Sequence, residues 1–153
     1  MELLYRGSRD GTTSKIFHDK CDNQGPTICL YKNDKDYIFG GYASISWNNN
    51  GGCRPASESF IFTLTNIHGT EPTKFPNKDK NISVYHDPNH GPSFGNYNDI
   101  NIISDYKKAG SNNCFPTDYE DTLNKGCSIF TGNLDNNNIS LTVKEIEVFK
   151  LYK

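Results

Sequence analysis

Along most of this chain apolar residues return at every second position in short runs that turn residues interrupt, and that period of two limits the fold more than any other feature. Seven runs read this way: 27–32, 37–46, 59–65, 81–85, 100–104, 128–131 and 140–151. Asn33-Asp34, Asn49-Asn50-Gly51-Gly52 and Asp87-Pro88-Asn89 supply turn chemistry between them. No long helical crossover separates the runs, so neighbouring strands must pair antiparallel, and two such sheets stacked face to face are the natural way to bury their aromatic sides. The expected fold is mainly β, a two-sheet antiparallel β-sandwich with a few short helices.

One of those helices is expected after Asp10-Gly11-Thr12-Thr13, where Ile16, Phe17 and Cys21 recur at helical spacing. Asp10 or Thr12 is the expected N-cap, and Gly25-Pro26 is a stop signal. In the run 59–65, Phe60, Phe62 and Leu64 point one way and Ser59, Ile61 and Thr63 the other. Both sides are mostly apolar, which predicts a strand inside a sheet. The Gly40-Gly41 pair, placed within a strand, predicts a bulge or a close approach by another group. The polar, proline-containing stretch 66–81 reads as a long surface loop, and residues 1–153 as a single domain.

Composition narrows the function. Hydrophobic residues make up 34% of the chain, but nine Phe and nine Tyr with a net charge of only −2 argue for a packed core over disorder. Eight basic and eight acidic residues precede Pro76, and eight basic and ten acidic follow from there. Neither half has the clustered basic face that a nucleic-acid duplex or an anionic membrane requires, and the stretch 74–80 reads as a solvated loop. The chain opens without an export-type apolar segment, and nowhere do eighteen apolar residues run together, so a protein that neither is secreted nor inserts in a membrane is expected. Five cysteines at irregular spacing fit free thiols in a reducing compartment, hence a cytoplasmic location. The nineteen asparagines, with runs at 48–50 and 136–138, read as polar turns, and the glycosylation-like triplets at Asn81 and Asn138 as accidental.

The residues that carry chemistry elsewhere are arranged here without a recognised catalytic motif: there is no nucleophile elbow, phosphate loop or dinucleotide fingerprint. His86 and His90 are four apart, but Pro88 between them breaks the helix that would aim both at one metal, so they read as loop histidines. His18 and Cys21 share adjacent helical turns, and Cys21 reads as a core residue. Glu145 and Glu147 alternate along the last strand and share a face with Phe149 and Leu151; paired carboxylates of this kind can act as acid and base, whereas on a strand they are commonly solvated or salt-bridged. Arg6-Gly7-Ser8-Arg9-Asp10-Gly11 is a dense charged turn that reads as ion pairing within the domain and helix capping, with a partner-facing Arg9 as the sharper alternative.

With these segments placed, the chain resembles a TLDc domain, the module of oxidation-resistance proteins. Seven pieces match in order: LLYRGSRDG from Leu3, IFHDKC from Ile16, GPTICLYK from Gly25, YIFGGYASISW from Tyr37, SFIFTL from Ser59, GPSFGNYNDI from Gly91 and KEIEVFKL from Lys144. The resemblance implies a β-sandwich without cofactor, metal or assigned active site. It further implies a monomeric protein-interaction domain linked to oxidative-stress resistance, able to bind and regulate the vacuolar-type proton pump and to reach endomembranes through that partner. Family members carry a further segment before the LLYRGSRDG motif, so residues 1–153 are expected to lack it. Arg9, Asp10, Glu145 and Glu147 are the expected partner-binding residues; the contrasting expectation is a redox-active or hydrolytic enzyme using Cys21 or the Glu145/Glu147 pair.

Overall fold

The computed structural model describes residues 1–78, 81–96, 99–108 and 110–152. In chain order the elements are β1 (Glu2–Arg6), α1 (Gly7–Asp10), α2 (Ser14–Cys21), β2 (Thr27–Asn33), β3 (Ile38–Ala43), β4 (Cys53–Arg54), β5 (Phe60–Thr63), β6 (Thr73–Pro76), β7 (Val84–Tyr85), β8 (Ser93–Phe94), β9 (Ser111–Asn112), α3 (Ser128–Thr131), β10 (Ser140–Leu141) and β11 (Val143–Lys150). One antiparallel sheet of six strands runs β1-β11-β2-β3-β5-β6. Three short strands, β4-β7-β8, and the β9-β10 pair form smaller antiparallel sheets, bridged by Phe94 to Ile100 and by Asn101 to Asn112. The β-sandwich expected from the sequence is therefore present, with one long, regular sheet and a second layer assembled from fragments.

The alternation in β2 decides which side faces in. Thr27, Cys29, Tyr31 and Asn33 are buried while Ile28, Leu30 and Lys32 are half-exposed, a strict period of two. The core between the layers is largely aromatic: Phe39 stacks on Tyr31 with ring centres 5.1 Å apart, and Phe75, Phe115 and Phe130 meet in a second group. Trp47, fully buried, donates its indole N–H to Thr27 Oγ1 (2.8 Å) and lies 5.6 Å from the rings of Phe17, His86 and Phe94.

The glycine pair answers to both faces of the sheet. A Cβ on Gly41 would lie 2.4 Å from Phe94 Cζ, and one on Gly40 would lie 2.2 Å from the Cys29 carbonyl and 2.5 Å from Phe62 Cζ. Close approach, not a bulge, is the reason for glycine at both positions. As expected, β5 is an interior strand; Ile61 and Thr63 face the core and Phe60 and Phe62 the outer side.

Several sequence expectations need correcting. Residues 128–131 form a helix, not a strand: Cys127 is already right-handed, and Gly132 in the left-handed region closes the turn by donating its N–H to Ser128 O (3.0 Å). Apolar character over four residues cannot tell a buried helical turn from a strand. Residues 100–104 make single bridges only, and the runs 81–85 and 140–151 shrink to β7 and split into β10 and β11. Within the stretch read as a loop, β6 closes one edge of the large sheet, turning Phe75 into the core and Pro76 outward, a position an edge strand tolerates. The N-cap of α2 is neither Asp10 nor Thr12 but Thr13, whose hydroxyl accepts from Ile16 N (3.4 Å).

Candidate functional site

The charged turn and the last strand meet at one end of the outer face of the six-stranded sheet. β1 pairs with β11 so that Arg6 stands opposite Glu147, and α1 follows directly. Arg6 Nε donates to Glu147 Oε2 at 2.7 Å, while the Ser8 N–H, an orphan donor of the first helical turn, donates to Glu145 Oε1 at 3.0 Å. Glu145 Oε1 also accepts from Ile146 N. Alternation along β11 thus places both glutamates on one side, as the sequence implied, but each carboxylate is spent separately on fastening the β1–α1 segment.

Arg9 and Asp10 form the outer part of the cluster. The guanidinium grips the neighbouring carboxylate through two bonds, Nε to Oδ1 at 2.8 Å and Nη2 to Oδ2 at 2.9 Å, and Asp10 Oδ2 accepts from Arg6 N. The hydrogen bond from Arg9, more than any other group, holds the Asp10 carboxyl down at about 2. Half of the Arg9 side chain stays in solvent, against 9% for Asp10. Gly7 fixes the approach of this turn to the body of the protein, since a Cβ there would fall 1.8 Å from Tyr106 Oη.

Beside the glutamates lies a shallow groove of about 400 Å³ lined by Leu30, Lys32, Ile38, Lys144, Glu145 and Glu147. Its lining combines apolar Leu30 and Ile38 with side chains of both charges. Lys144 is tied to Asp36 at 2.7 Å.

The other residues singled out in the sequence are dispersed. Cys21 is fully buried, and burial pushes its thiol far above the usual range; Cys29, equally enclosed, is pushed up to about 12. Neither is poised as a thiolate nucleophile. His86 is 1% exposed and His90 lies on the rim of the turn, 3.3 Å from Asp87 through Nδ1. Among the described residues no group of three or more His, Cys, Asp or Glu side chains is placed to hold a metal ion.

Asp99 is a buried carboxylate that sequence reasoning did not single out. It accepts the backbone N–H groups of Thr117 (2.9 Å), Asp118 (2.8 Å) and Tyr119 (3.1 Å), pinning that loop under the second layer. Burial pushes its carboxyl up to about 6 against the pull of those three donors, with Asp118 adding to the rise. A Cβ on Gly95 (φ +77°) would touch Asp99 Oδ1, so the glycine of Phe94-Gly95-Asn96 and the later aspartate are one structural unit. An acidic residue directly before the alternating Ile100 and Ile102 was the only signal in the sequence.

This architecture agrees with the relationships of the sequence. The TLDc domain profile matches residues 1–152. The MTOR-associated protein MEAK7 of Danio rerio is 41% identical over 62 residues, which are 40% of this chain and 14% of that protein. Interferon-induced protein 44 of Homo sapiens is 40% identical over 47 residues, 31% of this chain and 10% of that protein. The matches thus span only a small part of either relative. The profile covers almost the whole sequence, and on that ground the chain belongs to the TLDc domain family.

Proposed function

We propose that this domain works by docking on a protein partner, without chemistry of its own, and that the docking surface centres on Arg9 and Asp10 where the β1–α1 turn is clamped to Glu145 and Glu147. The observation that carries the reading is the arrangement of that cluster. Five charged side chains, Arg6, Arg9, Asp10, Glu145 and Glu147, are held in ion pairs or by the backbone at the edge of a long sheet, leaving the Arg9 side chain half in solvent and oriented by its two bonds to Asp10. A pre-oriented arginine loses little freedom on binding, which is why arginine is favoured at the centres of interfaces. Membership of the TLDc family supports a protein-interaction role, as does similarity to a protein named as MTOR-associated.

The partner proposed is the peripheral sector of the vacuolar-type proton pump, met on the cytoplasmic side of endomembranes, with protection against oxidative stress following from regulation of that pump. No helix of the described residues is long and apolar enough to cross a membrane, so recruitment through a protein is the route proposed. Titration of the purified peripheral sector with this domain, followed by interferometry, tests the reading. Saturable binding that Arg9→Glu weakens at least tenfold is expected; absence of binding at tens of micromolar would remove the pump as partner.

A further inference from the structure

Two buried histidines from distant parts of the chain are associated with the 87–90 turn. His18, on α2, is enclosed by acceptors only: Nε2 faces the carbonyl oxygens of Asp87 (2.8 Å) and His90 (3.0 Å), and Nδ1 faces Asp22 Oδ1 (2.8 Å). Nε2 therefore donates to the two carbonyls, and a further proton must lie between Nδ1 and the carboxylate. One imidazole thus staples the 87–90 turn to the helix. The neighbouring His86 sits at the start of that turn, 1% exposed, its ring 5.6 Å from the Trp47 ring. Neither of its ring nitrogens has a hydrogen-bond partner among the described residues, and its backbone N–H donates to Gly52 O.

We propose that His86 is a built-in acid sensor: its protonation drives the 86–90 turn away from α2 and so loosens the small β4-β7-β8 sheet from the large one. The physical reason is the company it keeps. An imidazolium at this position would have no acceptor for either N–H, would be cut off from water, and would face Arg54 from β4 and His18 from α2. The carboxylates on the helix and the turn are already committed, Asp22 to His18 and Asp87 to His90 and the Asn89 N–H. Burial, then the charges of Arg54 and His18, hold the His86 imidazole down at about 4. The open form, whose imidazole has its ordinary value near 6.5, is accordingly favoured as pH falls from 6.5 towards 4, while above 6.5 the closed form is undisturbed.

Hydrogen exchange read by mass spectrometry on the chain between pH 7 and pH 4.5, corrected for the intrinsic pH dependence of exchange, tests it. Peptides covering α2 and residues 84–94 are expected to open on the order of 100-fold more often at pH 4.5 than at pH 7. In His86→Phe, which keeps a ring against Trp47 and cannot titrate, the same peptides are expected to change by less than threefold. His86→Gln replaces it should the phenylalanine variant not fold. Since Asp99 titrates in both proteins, comparison with the variant removes its contribution. Equal pH responses in wild type and variant would overturn the proposal. So would an NMR titration in which the wild-type His86 C2–H resonance moves with a midpoint near 6.5 while the amides of residues 84–94 stay protected.

Discussion

At the scale of single residues, the structure distinguishes groups that are spent on the fold from groups left facing outward. Glu147 belongs to the first kind, yet its bond to Arg6 is partly solvated, the two side chains being 24% and 42% exposed. A pair this open contributes about 0.5 kcal/mol or less, so Glu147→Gln should lower stability only slightly, and a double-mutant cycle with Arg6→Ala in urea denaturation measures the coupling. A coupling above 2 kcal/mol would mean the pair is far better shielded than its exposure implies. Gly41 is the opposite case. A methyl group there must displace the Phe94 ring, and Gly41→Ala is expected to cost roughly 1–3 kcal/mol. Gly41→Ala combined with Phe94→Leu should cost less than the sum of the two changes, because the smaller side chain removes the clash that the first creates.

Among the elements, the loop held by Asp99 has the clearest electrostatic signature. Its carboxyl is raised in the folded protein to about 6 from an unfolded value near 3.8, so between those limits the folded state binds more protons than the unfolded one. The contribution of Asp99 to stability is then greatest below about pH 4 and declines as pH rises to about 6. Urea midpoints for wild type and Asp99→Asn at pH 4, 5, 6 and 7 should show the wild-type advantage shrinking over that interval and constant above it. An advantage that grows with pH would mean the three backbone donors dominate over burial. Legibility at this scale followed length. β2, β3 and β5 were readable because four or more residues alternate against a continuous partner, whereas β4, β8 and β9 are two residues each and carry no period to read. The charged turn was legible as charge, but the bonds of Glu145 and Glu147 to Ser8 and Arg6 join residues 137 and 141 positions apart.

Across the whole molecule, the two layers are joined chiefly through large aromatic rings, and Trp47, fully buried, packs against the rings of Phe17, His86 and Phe94. Trp47→Ala is expected to cost about 3–5 kcal/mol, enough to unfold a domain of ordinary stability, with loss of near-ultraviolet circular dichroism as the readout. The sequence by itself determined the antiparallel sandwich and the place of the long strands, because both follow from local alternation and turn chemistry; it marked Gly40 and Gly41 as special, but the Phe94, Phe62 and Cys29 contacts that require them are tertiary. Only the tertiary structure decided that residues 128–131 coil, that the stretch around Phe75 pairs as an edge, that Glu145 and Glu147 fasten the β1–α1 segment, that His18 staples the 87–90 turn, and that His86 packs on Trp47. Those outcomes rest on contacts between segments tens of residues apart, where burial and the satisfaction of backbone groups outweigh any preference a short segment carries alone.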